Sequence, residues 1–294
     1  AELSLLPDVS EEEELMPANA VVQLSILAAE GFGILLVGPV VIKLGGVPVL
    51  GLVAMLMCTL TAVLVSRLPR DDAAAAETFA GGGTFASLVN DVRAGWRIIA
   101  GDSILRLVTF QAALAATLLL VMLSLIPGLA ARHLGLAVED SSYLLLPGGV
   151  GFLAGSLAMG RWGARWARSA WIGLGMTGLG LGLGLMSLYS TGGLRATSSP
   201  LADVALFEIL ILGLGLMLAL VIIPARTALQ ERPPAEMRGR VIAAQLALGN
   251  AGAVIPLFLG GAMADNLGIA PVTGLMGVIA VGAGLAGLIR MPGQ

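Results

Sequence analysis

Of the 294 residues, 57 % are apolar and only 12 % charged, with a mean hydropathy of +0.95, an apolar surplus that one water-soluble core cannot hide. The net charge of −3 says little, because in membrane proteins the placement of basic residues matters more than their sum. A single Cys58 and a single His133 exclude an internal disulfide and any metal cluster built on them, so neither cofactor nor metal is expected.

The chain opens with an acidic segment, residues 1–17, in which Ser10 and Glu13 have capping-box spacing ahead of Pro17. Eight apolar runs follow, each about long enough to cross the hydrocarbon core as a helix: Ala18–Ile42, Val47–Ser66, Leu107–Leu129, Tyr143–Met159, Trp171–Ser190, Val204–Ile223, Val241–Met263 and Pro271–Ile289. They are continuous and lack period-two alternation, which favours helices over a barrel and gives an all-α, polytopic membrane helix bundle.

Between the second and third runs, residues 67–106 read as a cytoplasmic linker. It begins with Pro69, Asp71, Asp72 and Gly81 to Gly83 and then becomes periodic. Phe85, Leu88, Val89, Val92, Trp96 and Ile99 share one helical face, with Arg93 and Arg97 elsewhere. Such a basic amphipathic helix is expected along the cytoplasmic membrane surface or packed beneath the bundle that follows.

Of the sixteen basic residues, alternate loops on one side carry only Lys43, Arg132 and Arg195, and the other side carries all the rest. Arginine resists translocation, so the richer side is cytoplasmic and both chain ends lie there.

Ionisable and amide side chains inside apolar runs are the candidate working parts, because each costs free energy unless it meets water or a partner. Glu30 lies halfway along the first run between Ala29 and Gly31, and Glu208 lies near the outer start of the sixth. Either is a proton-coupling group or a carboxyl hydrogen-bonded between helices. Gln23, Gln111, Gln245 and Asn250 are expected to line a polar cavity near mid-membrane or to bond across helices. Pro256 can bend the seventh run, and the crowded glycines of the fifth, Gly173 to Gly184, point to close helix packing.

Four stretches carry a family likeness: Leu6-Pro7-Asp8 with Pro17-Ala18-Asn19-Ala20 and Gln23, the pair Gly38-Pro39, GSLAMGRWGAR from Gly155 to Arg165, and Arg238-Gly239-Arg240-Val241. Through these the chain resembles the C-terminal two thirds of a major facilitator superfamily transporter of the macrolide and siderophore exporter branch. The resemblance implies two six-helix halves. Residues 18–66 would be the last two helices of the first half, residues 107–294 the whole second half, and four further helices would precede Ala1. It also implies proton-coupled export of an amphiphilic small molecule by a monomer in the plasma membrane. Gly155, Gly160, Arg161, Arg165, Arg238 and Arg240 would latch the cytoplasmic helix ends, and Gly38 and Pro39 would bend the first helix. Met159 and Gly160 stand where the family motif usually has an acidic residue before its arginines.

Two other classes are open to the sequence. An embedded enzyme is disfavoured because there is no metal-ligand cluster, no nucleophile elbow and only one histidine to serve as base, and a nucleotide-driven pump because no phosphate-binding loop surrounds the lone Lys43. Nucleic acid is not an expected partner. A non-transporting scaffold is the remaining alternative.

Overall fold

The computed structural model describes residues 37–66, 85–131, 144–194 and 200–290, with isolated positions between 21 and 33. Within these the chain is helical, without a strand. It divides into two units, residues 27–91 and a larger one of residues 1–26 and 92–294.

In the smaller unit, α1 (Gly38–Ser66) is broken at Gly46, whose φ of 72° and ψ of −177° are not helical. Glycine enters this left-handed region without a Cβ clash, and Pro48 restarts the helix two residues later. The gap expected between Ile42 and Val47 coincides with this break, where two helical segments meet at Gly46. Within α1 the bend falls at Gly46 and not at Gly38-Pro39, which stand in its first turn.

The larger unit holds the C-terminal part of α2 (Phe85–Gly101), then α3 (Ser103–Leu129), α4 (Leu146–Trp162), α5 (Arg168–Ser190), α6 (Pro200–Glu231), α7 (Arg238–Leu267) and α8 (Ile269–Arg290). Among these, α3, α5, α6 and α8 are long and apolar enough to cross a membrane, as is α7 together with the turn before it; α4, at 17 residues, reaches the lower end of the spanning range.

Two of the boundaries that differ from the sequence expectation bear on the site. α3 begins at Ser103 because Asp102 caps it, its carboxylate accepting the N–H of Ile104 at 2.8 Å and of Leu105 at 3.3 Å. α6 continues past Ile223, through Pro224, to Glu231. A helix of 32 residues is about 48 Å long, more than the roughly 30 Å that the hydrocarbon core needs.

Glycine lets the helices approach. On α4, Gly148, Gly151 and Gly155 recur at i, i+3 and i+7 and face α6, where Gly151 lies on the Leu212 carbonyl and Gly155 on Ala219 and the Leu216 carbonyl. On α5, Gly173 and Gly180 face α8, while Gly175 and Gly182 face α6. The close packing expected of the fifth run is thus split between two neighbours. α3 sits centrally: Val121 meets Gly260 of α7, and Gln111 meets Gly287 of α8. Leu105, Ala115, Leu129, Ile172, Met176, Ile223 and Ala280 form the fully buried interior.

Candidate functional site

Glu30, Gln23, Arg132, His133 and Arg195 lie outside the described residues, as do the side chains of Pro39 and Lys43. Among the described residues, the candidates of the larger unit fall into three separate places.

Gln111 is 1 % exposed, and its amide N–H donates at 2.8 Å to the carbonyl of Ala283 on α8. Its neighbour there is Gly287, where any Cβ would meet the amide. The side chain is committed to joining α3 to α8, which is the cross-helix role weighed for it above. Glu208 is exposed near the start of α6, beside Ile209 at 65 % exposure. Eighteen residues separate it from Arg226 on the same helix, about 27 Å along the axis.

The third place lies toward the end of α6 that carries Arg226. Here Gln245 of α7 meets Arg226 and Gln230 of α6 around a partly open cavity of about 20 Å³, lined also by Leu229, Ile242 and Leu246. That volume suffices for about one water. Gln230 is 1 % exposed and Arg226 half-buried. Asn250 is exposed on α7, and α7 runs unbroken through Pro256. Gln245 thus borders this small pocket together with Arg226 and Gln230, which both lie past the Ile223 end expected for the sixth run. The signal for them was the apolar spacing that continues past Pro224 as far as Leu229.

Ion pairs close the same end of the unit. Glu231, the last residue of α6, accepts from Arg168 at the head of α5 at 2.6 Å, and Arg232 donates to Asp102 at the head of α3 at 3.3 Å. Two adjacent residues of opposite charge thereby tie α6 to two helices. Burial tends to raise the Asp102 carboxyl, but the two capping N–H groups and then Arg232 outweigh it and hold the carboxyl below its ordinary value. Neither Asp102 nor Glu231 was singled out from the sequence, although Asp before an apolar run and a charged pair before Pro233-Pro234 are recognisable helix ends.

The arginine-rich loop after α4 is shaped by its tryptophans: Trp171 Nε1 donates to the Gly163 carbonyl at 3.1 Å and its ring stacks on Trp166 at 4.9 Å. Arg161 and Arg165 remain exposed, Gly160 has open space around it, and Gly155 lies inside the α4–α6 contact. Arg240 donates to Met237 Sδ at 3.5 Å at the start of α7. Contacts from Asp102 to Arg232, Arg168 to Glu231, Trp171 to Gly163 and Gly95 to Arg240 gather these termini at one end of the unit. At the other end, where Ser187 donates to the Ala270 carbonyl and Tyr189 stacks obliquely on Phe207, the described charges are Asp203, Glu208 and Asp265.

Long apolar helices, amides placed between them and charge segregated to their ends define a multi-pass integral membrane protein. The family model described as the Major Facilitator Superfamily matches residues 1–255. The chain belongs to this superfamily, and membership makes it a secondary transporter. Comparison with curated proteins and with solved structures returns no match.

Proposed function

We propose that the protein exports an amphiphilic small molecule in exchange for protons, by alternating access, as in the macrolide and siderophore branch it resembles. The observation that carries this reading is Glu30, a carboxyl in the middle of an apolar run and flanked by small residues, where proton binding and release can be coupled to a conformational change. The Arg226, Gln230 and Gln245 cluster supplies polar groups near the arginine-rich end, where cargo would enter. Glu208 is a second protonatable candidate, at the opposite side of the bilayer. The cargo leaves chemically unchanged.

The gathering of arginines at one end supports a cytoplasmic assignment for that end and for both chain termini, in the plasma membrane. Arg161, Arg165, Arg238 and Arg240, with Gly155 and Gly160, belong to the moving cytoplasmic interface in this reading. The full-length protein acts as a monomer, with the bilayer, the cargo and protons as its partners.

Inside-out vesicles carrying the full-length protein test the proposal under an imposed pH gradient with a panel of lipophilic compounds. Gradient-driven accumulation is expected, and Glu30→Gln abolishes it. Accumulation indifferent to Glu30→Gln would remove Glu30 from the proton path. A protein that is folded in the vesicles but moves none of the panel would favour the scaffold reading.

A further inference from the structure

Helix α2 carries exposed residues for which transport, as proposed, has no use. Its inner face is fixed to the larger unit: Ile99 is fully buried, and Gly95 lies against the backbone carbonyl of Arg240 so closely that a Cβ would not fit. At about 100° per residue an arc away from these two residues runs from Trp96 through Arg93 to Arg97, all within the larger unit. All three are exposed, Trp96 at 42 %. Neither Arg93 nor Arg97 has an ion pair or hydrogen bond among the described residues.

The placement of this arc relative to the bilayer follows from two contacts. At Gly101 the helix ends one residue before Asp102, the cap of the membrane span α3, and at Gly95 it touches the first turn of the span α7. Both points belong to the arginine-rich end of the bundle. The last two turns of α2 therefore run across the bundle at the boundary between water and hydrocarbon. Tryptophan favours that boundary, and arginine there meets lipid phosphate. The first turn of α7 adds Arg238 and Arg240 and no acidic residue, with Glu236 and Asp91 as the nearby opposing charges in sequence.

We propose that the outward face of α2 is a binding site for an anionic glycerophospholipid, with Trp96 at the level of the glycerol and Arg93 and Arg97 on the headgroup phosphate. The basic, aromatic composition matches an anionic headgroup over apolar chains and fits neither a free phosphate nor an apolar protein surface. The inference rests on the membrane placement of the bundle. It needs the orientation proposed above only to say which leaflet supplies the lipid, and it is independent of proton coupling.

The test uses full-length, delipidated protein in neutral detergent, with Cys58→Ala and with Ala100→Cys, which falls on the same arc between Trp96 and Arg93, carrying an environment-sensitive fluorophore. Titration with short-chain phosphatidylglycerol is expected to shift the emission, with an affinity about twenty-five-fold above that for the matching phosphatidylcholine, about five-fold from each arginine. Arg93→Gln with Arg97→Gln brings the two lipids to parity, while Arg93→Lys with Arg97→Lys keeps most of the preference. Equal affinity for the two lipids in the unaltered pair, an equal response to inorganic phosphate, or a reporter that no lipid shifts because protein covers it would each overturn the proposal. Loss of cargo transport with the lipid preference intact would count against the transport reading alone.

Discussion

Adding one methyl group at Gly151 tests whether the α4–α6 contact is set by backbone approach. The facing atom is the carbonyl oxygen of Leu212, and along the same seam a Cβ on Gly155 would stand 2.7 Å from the Cβ of Ala219. Ordinary carbon contacts lie at about 3.5 to 4.0 Å, so Ala at either site forces the helices apart by roughly 1 Å. A gap of that size forfeits about a quarter to a half of the dispersion energy of each facing pair, and overpacking of this kind costs about 1 to 3 kcal/mol. Gly149, two residues away on the same helix, has no atom within 4 Å of its would-be Cβ. Gly149→Ala should gain up to about 1 kcal/mol from helix propensity alone. Alanine gains the same propensity at both sites, so the two variants should differ by the overpacking cost, about 1 to 3 kcal/mol, when the full chain is unfolded by sodium dodecyl sulfate in mixed micelles and followed by circular dichroism. Gly151→Ala as stable as Gly149→Ala would refute the reasoning, because the seam would then be loose enough to accept a side chain.

Two further expectations follow from single side chains. Gln111→Leu removes the amide bond to the Ala283 carbonyl and should cost about 1 kcal/mol in the same unfolding assay while transport persists; an unaltered stability with lost transport would make Gln111 a cargo residue. Asp102→Asn keeps a cap acceptor but loses the charge that meets Arg232. The folded carboxyl lies below its ordinary value of 3.8, so its stabilisation is complete above that value and disappears as pH falls through the lowered one. Wild type and Asp102→Asn should therefore differ, by about 1 kcal/mol, in neutral buffer and converge in acid. A difference unchanged down to pH 3 would show that the charge is not involved.

Hydropathy alone located α3, α5, α7 and α8 to within a few residues, since roughly twenty consecutive apolar side chains have few alternatives to crossing the bilayer. The break in α1 was legible as well, because Gly45, Gly46 and Pro48 interrupt the run. The course of α6 was not, because Pro224 and Arg226 look like an ending when the neighbouring helices that bury Thr227, Leu229 and Gln230 are unknown. Site residues were least legible where their partners are distant in sequence. Gln111 and Ala283 are 172 positions apart, and Asp102 and Arg232 are 130 apart. A polar residue in an apolar run announces that something must satisfy it, but only the fold says whether that is a neighbouring helix, as for Gln111, or a shared cavity, as for Gln245.

The glycine seam between α4 and α6 also constrains how the protein can vary over generations. At Gly151 every replacement adds volume, so change there has one direction. The opposing atom is a main-chain oxygen, which no mutation can delete. A second-site change at Leu212 alters the side chain and leaves the obstacle in place. Tolerance for a bulkier residue must come from shifting a whole helix, so Gly148, Gly151 and Gly155, with Gly215 of α6 that lies on the Gly148 carbonyl, should be inherited as a set rather than repaired one at a time.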